Sequence, residues 1–106
     1  MSDTNYIGAI VKILESPKNK ITKNKISVTK FRAQLPQIRQ TRVVDIIVWG
    51  NLANDIVNYY NVNDYILVEG YLSLRKVISL KPKILKRSRF TILKVYPFFV
   101  SSKLRD

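Results

Sequence analysis

The side chains best equipped to act on another molecule are a single tryptophan, Trp49, and 19 lysines and arginines set against 7 acids. An indole offers a flat π-face on which a planar group can stack, and ammonium or guanidinium groups hold anions. Both act by binding and leave covalent bonds as they are. The sequence contains no histidine and no cysteine. It therefore lacks the commonest neutral general base, a thiolate nucleophile, Cys-ligated zinc and any disulfide framework. Asp45, Asp55, Asp64 and Glu69 fall on different expected elements without metal-ligand spacing, so they read as solvated or structural groups. No catalytic residue, metal ligand or cofactor is assigned, and an enzyme is not expected.

The cations are segregated along the chain. From Ser16 to Arg42 there are eight, Lys18, Lys20, Lys23, Lys25, Lys30, Arg32, Arg39 and Arg42, and no acid. Val43 to Glu69 contains no Lys or Arg, and Gly70 to Arg105 carries ten more cations, again with no acid. Lysines that merely keep a domain soluble are interspersed with acids. Segregation of this kind points to a binding surface built from the outer blocks, with the middle block facing elsewhere. A formal net charge of +12 selects a polyanion, nucleic acid first and an anionic membrane surface second. No apolar run approaches the ~18 residues needed to span a bilayer, and among partners nucleic acid is expected and a membrane is not.

Residues with AT-rich codons (Phe, Tyr, Met, Ile, Asn, Lys) outnumber those with GC-rich codons (Gly, Ala, Arg, Pro) more than twofold. That bias points to an AT-rich genome: a plastid, a mitochondrion or a low-GC bacterium. Met1-Ser2-Asp3-Thr4-Asn5 lacks the basic and apolar regions of a signal peptide and the Arg-rich character of a transit peptide. The expected location is the compartment of synthesis, a plastid or alternatively a bacterial cytoplasm.

Hydrophobic periodicity predicts the elements that must position these groups. Tyr6–Leu14 reads as a first strand ending at Glu15-Ser16-Pro17, and the polar Lys18–Lys25 as a loop or hairpin tip. Ile26–Leu35 forms a second strand. Its apolar phase slips near Thr29-Lys30, which predicts a β-bulge. Arg42–Trp49 is a third, with Val44, Ile46 and Val48 on one face and Val43, Asp45, Ile47 and Trp49 on the other. Gly50 ends it, Asn51 is the expected N-cap, and Leu52, Ala53, Ile56, Val57 and Tyr60 give a short amphipathic helix over Leu52–Tyr60. Asn61–Asp64 is a turn. Tyr65–Arg75 is a fourth strand, Ser79–Arg89 a basic loop, and Phe90–Tyr96 a last strand closed by Pro97.

Strand, strand, strand, helix, strand, strand is the layout of an OB-fold, an all-β five-stranded Greek-key barrel with its helix between strands 3 and 4. Its binding face comprises strands 2 and 3, flanked by the 1–2 and 4–5 loops. Here those loops are Lys18–Lys25 and Ser79–Arg89, the two most cationic stretches. One domain over residues 1–98 with a short tail over 99–106 is expected.

Val48-Trp49-Gly50-Asn51-Leu52-Ala53, then Tyr60, Asp64, and Ile66-Leu67-Val68-Glu69-Gly70-Tyr71-Leu72-Ser73-Leu74-Arg75 resemble the bacterial-type single-stranded DNA-binding protein family. In that family an aromatic-Gly-x-x-Ala turn opens the helix, and the next strand reads apolar-x-Val-Glu-Gly-x-Leu-x-x-Arg. Asn5 and Pro17 keep the spacing of the family's opening strand, while Val11 replaces its glycine and Ser16 the acid before its proline. The strong match covers about Val43–Lys76. With Phe31-Arg32-Ala33-Gln34-Leu35-Pro36, the chain is most similar to the small plastid and cyanobacterial variant.

The resemblance implies binding of single-stranded DNA with little sequence preference, in organellar DNA replication or maintenance, and a homodimer or homotetramer assembled through barrel edges. It puts Trp49 at the strand-3 stacking position and Arg75 at the basic position of strand 4. Val43, Val77 and Ile38-Arg39 stand where the family has further aromatics. The family's long polar linker and acidic tip do not follow, so tail-mediated recruitment is not expected. The expected nucleic-acid-binding residues are Trp49, Tyr71, Arg75, Lys30, Arg32, Arg42, Lys20, Lys23, Lys25, Lys81, Lys83, Lys86 and Arg87. Tyr71 shares a face with Glu69 and Ser73, which suits either stacking or subunit contact. Phe31 reads as core, Tyr59 and Tyr60 as helix packing. The alternatives are an RNA-binding or ribosome-associated OB module and a structural assembly subunit.

Overall fold

Phe31 and Ala33, Val44, Ile46 and Val48, Ile66 and Val68, and Phe90 and Ile92 each occupy alternate positions of a strand, and all are buried. Period-two burial of this kind turns one face of a strand to a core and leaves the other to solvent. The computed structural model describes residues 4–35, 42–78 and 84–99. It contains strands β1 (Thr4–Ile13), β2 (Lys18–Ile21), β3 (Ser27–Leu35) and β4 (Arg42–Trp49), helix α1 (Asn51–Tyr59), and strands β5 (Tyr65–Ile78) and β6 (Ile84–Phe99). Neighbouring strands run in the order β1-β5-β6-β4-β3-β2. β1 also pairs with β3 at Lys12–Gln34 and Ile13–Ala33, which closes five strands into a barrel and leaves β2 as an added strand on β3. The β4–β6 pairing is parallel. The helix lies between the third and fourth barrel strands, as expected, and contributes Ala53 and Ile56 to the core.

Two glycines fix the joints around the helix and the long hairpin. Gly50 occupies φ 75°, ψ −147° at the helix N-cap, a region open to glycine and costly for other residues. Its N–H donates to the Ser27 carbonyl at 2.8 Å, and its carbonyl accepts the Ala53 N–H at 3.0 Å. At Gly70 an added Cβ would lie 2.0 Å from the Thr91 carbonyl oxygen, so β6 crosses directly over the glycine. The register shift between Glu69 and Gly70 falls at that crossing.

Four expectations are corrected. First, β3 carries no bulge: its register with β4 runs unbroken from Val28–Trp49 to Leu35–Arg42. Thr29 is the inward residue, fully buried, and its hydroxyl donates to the Ala53 carbonyl at 2.8 Å. The inward phase is thus Thr29, Phe31, Ala33, and the apparent slip arose from counting Val28, which is buried on the outer face. Second, much of the two expected loops is strand. In β2, Asn19 Nδ2 donates to Ser27 Oγ at 2.6 Å and to Thr29 Oγ1 at 3.0 Å. All four β2 residues are exposed, so no alternation announces the strand. β6 begins at Ile84, and the register sets Arg75 opposite Arg87 and Lys76 opposite Lys86. Third, the helix starts one residue early, with Gly50 rather than Asn51 at the N-cap. Fourth, Tyr60 packs on the core but Tyr59 is exposed.

Candidate nucleic-acid interface

Residues directly opposite on neighbouring strands share a face, so the registers trace rows across the outer surface of the barrel. One row is Lys20, Val28, Trp49. The next is Lys18, Lys30, Ile47, Thr91, Tyr71, Tyr6, which crosses six strands from β2 to β1. A third is Arg32, Asp45, Arg89, Ser73. Over β2, β3 and β4 these rows enclose an open groove of about 760 Å³. Lys18, Lys20, Lys30, Arg32 and Arg89 line it, together with Glu15, Asp45, Asn19 and the apolar Val28 and Ile47. Val28 and Ile47 lie on the outward phase yet are buried, which gives the groove an apolar floor beneath a cationic rim. Trp49 is 47% exposed, one register step from Val28, at the point where the Gly50 turn leaves the sheet.

Of the expected binding residues, Trp49, Lys20, Lys30 and Arg32 share this face. Lys23 and Lys25 are exposed on the β2–β3 turn beyond the Trp49 row, where Lys25 takes a positive φ of 63° and its N–H donates to the Thr22 carbonyl at 2.9 Å. Arg42 is exposed but stands opposite Leu35, on the phase of Val44 and Ile46, and so does not join the groove. Tyr71 is 45% exposed and lies on the far side of β6 from the groove. Its ring meets that of Tyr6 edge-on at 5.2 Å. Arg75, Lys86 and Arg87 lie on the paired β5 and β6 strands, and Lys81 and Lys83 fall outside the described residues.

Two groove cations, Lys18 and Arg89, were not singled out from the sequence. The sequence pattern places Arg89 in the basic loop Ser79–Arg89, whereas it lies in β6. The alternation of buried Ser88, Phe90 and Ile92 was the signal that turns it and Thr91 outward. Two carboxylates also enter the groove. Glu15 pairs with Arg32 at 3.3 Å, and Asp45 stands opposite both Arg32 and Arg89. Two further acids have roles away from the groove. Asp64 is buried and accepts the Asn61 N–H at 2.8 Å, pinning the turn before β5. Glu69 accepts the Tyr6 hydroxyl at 3.0 Å, and that bond raises the Tyr6 hydroxyl above its ordinary pKa.

The arrangement can hold an extended polyanion: phosphates along the rim, a planar group against Trp49, and apolar edges over the floor.

No protein-family model matches the chain. Over 104 residues it is 41% identical to the ycf41 protein of Trieres chinensis, named as a candidate single-stranded DNA-binding protein, with 92% of each chain covered. It is 27% identical over 77 residues to a thylakoid-associated single-stranded DNA-binding protein of Synechocystis, spanning 69% of this chain and 60% of that one. Among solved structures, the small single-stranded DNA-binding protein from Streptomyces coelicolor superposes with a TM-score of 0.78 at 15% identity, over 91% of this chain and 95% of its own. That likeness shows the shared OB barrel.

Proposed function

The chain belongs to the ycf41 family of single-stranded DNA-binding proteins, and on that premise we propose that it holds single-stranded DNA in the β2–β3–β4 groove without catalysing a reaction. Lys18, Lys20 and Lys30 take the phosphates, joined by Lys23 and Lys25 from the turn, while a base stacks on Trp49. Stacking accepts any base because every base has a π-face, so little sequence preference is expected. The observation that carries the reading is the row Lys20, Val28, Trp49: a cation, a buried apolar floor and an exposed indole on adjacent strands. The binding unit we propose runs to the end of β6 at Phe99, one residue past the boundary expected at 98.

The setting we propose is a plastid, in replication or maintenance of plastid DNA, supported by the ycf41 relatives and the AT-rich composition. Self-assembly through β1 belongs to the same reading. Among the described residues, Thr4–Val11 pairs with β5 on one side only, and the segment holds no Lys, Arg or Pro to blunt its other edge.

Fluorescence anisotropy with labelled oligo-dT tests the binding directly. Affinity should fall with rising salt, with a log–log slope of about −0.7 per phosphate contacted. Unlabelled single-stranded DNA should compete better than duplex or RNA of equal length. Binding insensitive to salt, or equal competition by duplex, would sink the reading.

A further inference from the structure

Two charged side chains that line the groove, Glu15 and Arg32, are bonded to each other. Glu15 stands at the corner where β1 passes into β2. Its Oε2 accepts the backbone N–H of Arg32 at 3.0 Å, and its Oε1 accepts both Nε and Nη2 of the same arginine at 3.3 Å each. The Leu14 N–H donates to the Arg32 carbonyl at 3.0 Å, so the corner and the arginine's backbone are tied in both directions. The Nε and Nη2 edge of a guanidinium is one that binds phosphate oxygens in a fork. Here a carboxylate already sits in that fork. The pair stays open to solvent, with side-chain exposures of 57% and 38%, so an arriving phosphate can displace the carboxylate without unfolding anything.

We infer that Glu15 is a built-in competitor for phosphate at Arg32, setting how tightly and how exchangeably the groove holds a strand; the inference rests on the single-strand reading above. A bound phosphate trades one anion for another at Arg32, so that arginine contributes less net affinity and releases less counterion than an unpaired one. The neighbouring rim cations make the attractive field, and Glu15 subtracts from it at one defined atom pair. A protein coating DNA that must later be copied or repaired gains from such a device, because contacts that are weakened individually are exchanged sooner.

Glu15→Gln tests this. The amide keeps an acceptor oxygen for the Arg32 backbone N–H while removing the charge from the fork. In oligo-dT anisotropy, E15Q should bind roughly two- to fivefold more tightly than the wild type at low salt, the size expected of an exposed ion pair. Its salt slope should steepen by about 0.7, one extra phosphate contact. Arg32→Ala should abolish that gain in the E15Q background and cost less in the wild type. A measurement without substitution supports the same test: the Arg32 Nε–H resonance should shift when wild-type protein is saturated with oligo-dT. An E15Q protein with wild-type affinity and slope, or an unmoved Arg32 resonance, overturns the role of Glu15 while leaving single-strand binding intact. A wild type that does not bind at all overturns both.

Discussion

Two outer faces of one barrel, the groove over β2–β3–β4 and the surface of β1–β5, are built by the same alternation and differ in what alternates. On the groove face the outward positions carry Lys18, Lys20, Lys30 and Arg32 around buried Val28 and Ile47. On β1–β5 they carry Tyr6 and Tyr71 in edge-to-face contact, Glu69 bonded to Tyr6, and Leu67 opposite Ile10 and Tyr96. The register row from Lys18 to Tyr6 runs continuously across both, so the change from cationic to aromatic happens within one surface. β2 and β3 lie in the first cationic block of the sequence, whereas β1 and the start of β5 lie outside it. The linear segregation of charge thus becomes a spatial one, cationic over the groove and aromatic over β1–β5.

Gly70→Ala should disrupt both faces at once. Its Cβ would fall 2.0 Å from the Thr91 carbonyl oxygen, a backbone atom that cannot step aside. Thr91 sits midway along the row that joins the two faces. The expected cost is about 3 kcal/mol or more, at the upper end for overpacking, and thermal melting should fall by roughly 10 °C or more. A variant that melts like the wild type would mean that β6 does not cross there.

Trp49→Ala separates the faces by function. The indole is half exposed at a strand end, so the fold should survive, while binding of oligo-dT weakens by about 1–3 kcal/mol per stacked base. Fluorescence quenching by oligonucleotide should vanish with the only tryptophan. The paired substitution Tyr6→Ser with Tyr71→Ser should do the reverse, leaving oligo-dT affinity nearly unchanged and lowering the apparent mass in sedimentation. If the tyrosine variant lost DNA affinity as strongly as the tryptophan variant, the two faces would form one binding surface.

The difference between the faces was only partly legible in the sequence. The alternation of Val44, Ile46 and Val48 with Asp45, Ile47 and Trp49 put Trp49 outward, and the structure agrees. Gly50 and Gly70 were legible as a turn and a close approach because only glycine relieves those constraints. The slip at Thr29 misled because a buried hydroxyl bonded to the Ala53 carbonyl behaves as an inward residue, which hydropathy does not register. β2 was hidden because a wholly exposed strand has no periodicity. The Glu15–Arg32 contact joins residues 17 apart across a corner, and Tyr6 meets Glu69 from 63 residues away. Nothing local in either pair announces its partner.

Lys30→Gln is a smaller perturbation on the groove side. Lys30 is exposed near the groove end of the long row, opposite both Lys18 and Ile47. Removing its charge should flatten the salt slope of oligo-dT binding by about 0.7 and leave thermal stability unchanged. A slope identical to that of the wild type would place the bound strand away from β3.

The smallest effect belongs to two tyrosines whose hydroxyls are both raised for different reasons. Tyr6 is raised chiefly by the hydrogen bond it donates to Glu69, Tyr60 by burial first and then by the charges of Asp64 and Asp55. Each fold therefore favours the neutral phenol. For such a group the stabilisation is fully present below the ordinary value near 10 and is lost as pH rises through the raised one. Ultraviolet titration of phenolate should show late ionisation of Tyr6 and Tyr60 in the wild type. Tyr60→Phe should remove one late step and soften the fall in melting temperature above pH 10. Tyr6→Phe should remove the other late step and soften that fall less, because Tyr6 lies on the open β1–β5 face while Tyr60 packs against the core. Equal effects of the two variants on alkaline melting would show that the β1–β5 face is as enclosed as the helix packing, which is what assembly through that face would produce.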